Sequence, residues 1–151
     1  MNKIKTVLLA DDNKSLRDYY KIILSKYNVE IISASSPKDF IQILIDDFCK
    51  IDLAYIDVSY DGSDIDGFQL AGIVKNLVQP FPFFIMSMSH SSEYIKKTED
   101  IGALGFIEKN DKNIIESYAS LYLLLQNWKP NKKYTWTLRK EKHPFNGHVF
   151  I

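Results

Sequence analysis

The sequence is poor in the features that would place it outside the cell or in a membrane. It has one cysteine, Cys49, in 151 residues, so no disulfide can form within the chain. That usage fits a reducing compartment. Long apolar runs are missing too. The N-terminus, MNKIKTVLLADD, offers only four apolar residues in a row before two acids, too few for a signal-peptide core or a membrane span. The expectation is a soluble, cytoplasmic protein. No GxGxxG, P-loop, GxSxG or paired CxxC motif occurs, so none of the chemistries those motifs carry is indicated. His90, His143 and His148 lack the companions that a metal cluster needs. Internal repeats and low-complexity segments are absent as well.

Net charge is the last absence. Nineteen basic residues balance nineteen acids, but unevenly: residues 1–128 hold 13 basic and 18 acidic side chains, and residues 129–151 hold six basic and one acidic. The body is acidic and the tail basic.

What is present is a globular composition, 46% apolar, with a regular alternation of strand-like and helix-like segments. Residues 5–10 read as a buried strand. Asn13 then caps a helix over about 14–27, with Leu16, Tyr19, Tyr20, Ile23, Leu24 and Tyr27 at helical spacing. Residues 29–34 form a second strand. Ser36-Pro37 opens a second helix, with Phe40, Ile43, Leu44 and Phe48 facing inward. Residues 53–57 form a third strand, followed by a polar loop with Asp61-Gly62 as turn chemistry. Gly67 begins a third helix to about Val78, with Phe68, Leu70, Ala71, Val74 and Leu77 as its apolar positions. Residues 83–86 form a fourth strand, 92–101 a fourth helix with Gly102 beyond it, and 104–107 a fifth strand. Asp111 to Trp128 reads as a fifth helix. Five such units predict a parallel sheet with helices on both faces. The domain then spans 1–128, and 129–151 is a short tail or hairpin-like arm with an Asn-Gly turn signal at Asn146-Gly147. Cys49 is expected to be buried or half-buried at the end of the second helix.

Four strand ends carry the chemistry. Asp11-Asp12, Asp57, Ser87 and Lys109 each follow a short apolar run. In an open parallel sheet the carboxyl ends of the strands share one crevice. Three carboxylates, one hydroxyl and one ammonium would converge there, a set suited to a divalent cation beside a phosphoryl group. Taken singly, each has a plainer reading. Asp11-Asp12 can cap a helix, Asp57 can be a loop acid, Ser87 can be turn chemistry, Lys109 can be solvated surface, and Phe106 can be core. Their joint order on successive strand ends favours the shared pocket.

LLADDN, the aspartate in LAYIDVS, FFIMSMS and IGALGFIEKN together resemble the receiver domain of two-component response regulators, over about residues 3–128. The resemblance implies a flavodoxin-like five-stranded sheet in the order 2-1-3-4-5. It implies phosphorylation of Asp57 by a histidine kinase or phosphotransfer protein, assisted by Mg²⁺. Asp12, Asp57 and the Ser59 backbone carbonyl would ligate the ion, and Asp11 would act mainly through water. Lys109 would pair with a phosphate oxygen. Ser87 would donate to the attached phosphoryl group, in concert with Phe106, and so remodel the face made by the fourth helix, fifth strand and fifth helix for a downstream protein target. Ser59 and Ser89 would tune phosphoryl lifetime. Such a protein is not an enzyme beyond its own phosphorylation and dephosphorylation.

Departures from the family pattern lie close to the pocket. Gly67 stands ten positions after Asp57, where the family commonly has about eight. Ser59-Tyr60-Asp61 replaces a usual Met-Pro, Asn110 replaces a proline, and Met88 fills a slot usually held by a small residue. They motivate an alternative, a receiver-like interaction module independent of phosphorylation. The chain is also readable as a receiver fragment of a larger regulator. Nucleic-acid contact through Lys132, Lys133, Tyr134, Trp136, Arg139 and Lys140 is less favoured than a solvated tail or a homodimerisation arm.

Overall fold

A computed structural model describes residues 6–26, 28–77, 82–89, 91–109 and 147–149, the last three through their backbone pairing. The order is β1 (Thr6–Ala10), α1 (Lys14–Ser25), β2 (Glu30–Ala34), α2 (Pro37–Asp47), β3 (Leu53–Asp57), α3 (Gly67–Leu77), β4 (Phe83–Ser87), α4 (Ser92–Asp100), β5 (Gly105–Glu108) and β6 (Gly147–Val149). The expected fifth helix, Asn110, His90 and residues 129–146 lie outside the described residues.

The first five strands are parallel and ordered β2-β1-β3-β4-β5. This is the flavodoxin-like sheet that the resemblance implies. A sixth strand, β6, adds antiparallel to the β5 edge, pairing Phe106 with His148 and Ile107 with Gly147. Gly147, expected in a turn, therefore belongs to a strand.

Burial explains the apolar runs. Every residue of β1, β3 and β4 is buried, as strands covered on both faces require. Leu8, Ala10, Ala54, Ile56, Ile85 and Phe106 share one core with Phe40 and Leu44 of α2 and Leu70, Ala71 and Val74 of α3. Alternate strand residues point the other way, where Tyr55 stacks on Phe84 at 5.5 Å between ring centres.

Capping fixes where the helices start. The Asn13 side chain accepts from the Leu16 N–H at 3.2 Å, Ser36 from Asp39 at 3.1 Å and Ser91 from Tyr94 at 3.1 Å. Gly102, at φ +82°, ends α4 in the left-handed region.

Three of the apolar positions read from helical spacing do not face the core. Tyr19, Phe48 and Leu77 are exposed. Phe48 is the α2 cap and Leu77 the last residue of α3, where the helical stripe runs past the edge of the sheet. Cys49 is likewise exposed, in the turn beyond α2.

Candidate phosphoryl and cation site

The ends of β1, β3, β4 and β5 deliver the four predicted positions to one place. Asp11, Asp57, Ser87 and Lys109 are all buried polar residues. They line a cavity of about 390 Å³ together with Asp12, Ser59, Met88 and Ser89. Asp11, Asp12 and Asp57 each present an oxygen within 4.8 Å of the others.

Lys109 holds the cluster together. Its Nζ donates to Asp57 Oδ2 at 2.8 Å and to Asp11 Oδ2 at 2.9 Å. Its backbone N–H donates to the Ser87 carbonyl at 2.7 Å, extending the β4–β5 ladder to the pocket wall. Burial alone would lower the Lys109 pKa, but the two carboxylates outweigh it and hold the ammonium above its ordinary value. Asp57 shows the opposite balance. Burial pushes its carboxyl up to about 6, against the lowering by Lys109, and the Asp11 charge adds to the rise.

The remaining bonds show which oxygens are engaged. Asp11 Oδ1 accepts from the Asn13 N–H at 2.9 Å, so each Asp11 oxygen has a protein partner. Asp12 Oδ2 accepts from the Asp61 N–H at 2.8 Å. The Arg17 guanidinium donates to the Asp11 carbonyl at 2.8 Å, tying α1 to the end of β1. Three carboxylates around one ammonium leave an excess of negative charge in a largely buried pocket. An all-oxygen donor set of that kind fits a hard divalent cation.

Ser87 Oγ accepts from the Ser89 N–H at 3.0 Å and lines the cavity. Its hydroxyl proton is thereby left for another acceptor. Met88 is 61% exposed and stands at the mouth instead of closing over Asp57. Phe106 is fully buried in the core, facing away from solvent.

The β3–α3 loop is pinned at both ends. The Gly67 N–H donates to the Val58 carbonyl at 2.7 Å. A Cβ on Gly67 would fall 2.0 Å from the Asp57 carbonyl oxygen, so only glycine permits this approach. The loop also supplies a residue to which the sequence pattern gave no role of its own: Tyr60, buried, whose hydroxyl donates to the Ala10 carbonyl at 3.4 Å. An aromatic three residues after Asp57, in an otherwise polar loop, was the available signal.

The model of the response regulator receiver domain family matches residues 7–118. The chain belongs to that family. Among solved structures, this receiver is similar to the chemotaxis protein CheY4 of Vibrio cholerae, at 19% identity over 80% of this chain and 98% of that one, with a TM-score of 0.70. It is similar to the non-phosphorylated HemR receiver domain of Leptospira biflexa, at 20% identity over 85% and 99% of the two chains, TM-score 0.73. It also resembles a chain in the CheX-CheY-BeF3-Mg complex of Borrelia burgdorferi, at 17% identity over 83% and 90%, TM-score 0.72. These likenesses concern the fold. No curated protein matches the chain by sequence.

Proposed function

We propose that this receiver accepts a phosphoryl group on Asp57 from a histidine kinase or phosphotransfer protein and uses it to change a protein-binding face. The observation that carries the reading is the Lys109 ammonium shared between Asp57 and Asp11, with Asp12 beside them. A carboxylate oxygen of Asp57 attacks phosphorus in line. The P–N bond to the donor histidine breaks, the imidazole leaves with the bonding electrons, and an acyl phosphate remains on Asp57.

Asp12, Asp57 and the Ser59 backbone carbonyl would hold Mg²⁺, with Asp11 behind them through water. Asp11 suits that outer place because Lys109 and Asn13 already engage both its oxygens. The chemistry supplied by a bound Mg²⁺ is neutralisation of the carboxylate and phosphoryl oxygens. Lys109 exchanges its bond to Asp57 for one to a phosphoryl oxygen, keeping Asp11 as its second partner. The Ser87 hydroxyl donates to the same group, and Ser59 and Ser89 border the approach of the hydrolytic water. Movement of Ser87 together with Phe106 passes the change to α4 and β5.

The output is contact with a downstream protein target, in the cytoplasm, with homodimerisation as one form of that contact. Among the described residues no helix is long and apolar enough to cross a membrane. The test is binding of beryllofluoride with Mg²⁺, followed by ¹⁹F NMR. A bound signal in the wild type and none in Asp57→Asn supports the reading. No signal in either, with no phosphorylation by a small-molecule donor, removes it and leaves a phosphorylation-independent interaction module.

A further inference from the structure

The β3–α3 loop does more than border the pocket. β1 and β3 pair in register from Val7↔Leu53 to Ala10↔Ile56. The next residues, Asp11 and Asp57, are the two acids that share Lys109, so the strands part where the carboxylates need room. The Tyr60 hydroxyl sits at that point. It donates to the Ala10 carbonyl at 3.4 Å, from a loop position three residues after Asp57. One hydroxyl thus ties the loop that follows Asp57 to the residue before Asp11, where the β1–β3 register ends.

Resting on the phosphoacceptor reading above, we propose that the Tyr60 hydroxyl is a positioning group that sets the separation of the Asp11-Asp12 pair from Asp57, and so the size of cation the pocket selects. Three features support this. The ring is 7% exposed and packs in the core with Ala10, Ile56 and Leu70, which fixes where the hydroxyl lies. The next residue, Asp61, donates its N–H to Asp12 Oδ2 at 2.8 Å, so adjacent loop residues hold both sides of the acid pair. The loop cannot drift as a whole, because Gly67 closes it onto Val58 at 2.7 Å.

Simple core filling would not call for a phenol. An apolar side chain of similar size serves that purpose without burying a hydroxyl. Burial and the Asp57 and Asp11 charges raise the phenol's pKa, so it stays a neutral donor throughout the physiological range.

Cation size provides the discriminating measurement. Mg²⁺ requires near-ideal geometry with oxygens at about 2.0–2.1 Å, whereas Ca²⁺ tolerates about 2.3–2.6 Å and irregular shells. Loosening the acid spacing should therefore penalise Mg²⁺ more. The experiment titrates the full chain and its Tyr60→Phe variant with Mg²⁺ and, separately, Ca²⁺ by calorimetry, with melting temperatures recorded in chelator. The expected result is a Mg²⁺ dissociation constant about three- to tenfold higher in Tyr60→Phe, the worth of one hydrogen-bonding hydroxyl. The Ca²⁺ constant rises less, so the Mg²⁺/Ca²⁺ preference falls. Tyr60→Met, which keeps an apolar group and lacks the hydroxyl, shifts the preference the same way. An unchanged preference, whether both affinities hold or both fall together, overturns the proposal and leaves Tyr60 as core packing. Failure of the wild type to bind either ion overturns the phosphoacceptor reading instead, and the positioning role falls with it.

Discussion

Lys109 and Asp57, 52 residues apart in sequence, meet at 2.8 Å in a buried ion pair that Asp11 joins from the far side. The pair is asymmetric. One ammonium serves two carboxylates, too little to offset the burial that pushes the Asp57 carboxyl up to about 6. Most of what the site is expected to do follows from that imbalance.

Asp57 binds its proton more tightly folded than unfolded. Between its ordinary value of 3.8 and about 6 the folded state holds more protons. Stability from this group is therefore present at low pH and lost as pH rises through about 6. Asp57→Asn removes the ionised form, so at pH 7 and without divalent cation the variant should melt several degrees above the wild type. Added Mg²⁺ should raise the wild-type melting temperature and leave Asp57→Asn nearly unmoved. Differential scanning calorimetry across pH 4–8 checks both. A wild-type stability that rises over pH 4–6 faster than that of Asp57→Asn would contradict the sign.

Reactivity follows the same titration in reverse. Only the ionised carboxylate attacks phosphorus, so phosphorylation by a small-molecule donor at limiting Mg²⁺ should accelerate as pH rises through about 6. Saturating Mg²⁺ favours the ionised form and should move the midpoint down. Phosphoprotein yield at early times, measured at several pH values and two Mg²⁺ concentrations, tests the shift.

Lys109→Met strands two buried carboxylates. Breaking a buried pair by removing one partner costs about 3 kcal/mol or more, and the melting temperature in chelator should fall accordingly. Mg²⁺ can supply part of the missing charge, so the stabilisation on adding it should be larger in Lys109→Met than in the wild type. Equal stabilisation would mean that Lys109 and the cation do not address the same carboxylates.

Asp12 separates binding from folding. It is the most exposed of the three acids, and its Oδ2 accepts from the Asp61 N–H. Asp12→Ala should cost less than about 1 kcal/mol of stability yet lower Mg²⁺ affinity by at least about tenfold. Chemical denaturation paired with calorimetric titration reads the two effects independently.

Two glycines in α3 make an internal comparison. Gly67→Ala forces a Cβ to 2.0 Å from the Asp57 carbonyl oxygen, while Gly72→Ala meets nothing within 4 Å. The first should destabilise by about 3 kcal/mol or more. The second should stabilise by about 0.5–1 kcal/mol, as alanine replaces glycine inside a helix. Urea midpoints of the two variants should therefore move in opposite directions.

Much of this was legible in the sequence because burial writes strong patterns. Strands covered on both faces must be apolar throughout, so VLLA, LAYI and FFIM stand out, and the residues after them fall at one crevice by topology alone. Asn13 and Ser36 announce helix starts through side-chain chemistry that reaches only three residues. Other features depend on contacts that local patterns do not encode. Nothing near Lys109 shows that it bonds Asp11, 98 positions away, as well as Asp57. Tyr60 reads as a loop aromatic until the loop is seen folding back over β1. β6 is three residues long and far from β5 in sequence, so no periodicity marks it. Phe48 and Leu77 keep the spacing of an inner face, but a helix that outlasts the sheet beneath it has nothing left to pack against.

The Val58–Gly67 closure makes the stretch between them a loop hung from two fixed hooks. Its length is taken up between those two points, while Asp57 at its root keeps its bond to Lys109. Tyr60 and Asp61 lie within that stretch, so a change of composition there reaches Ala10 and Asp12 through their hydrogen bonds. The ten-residue interval from Asp57 to Gly67 thus couples the pocket rim to the acids beneath it.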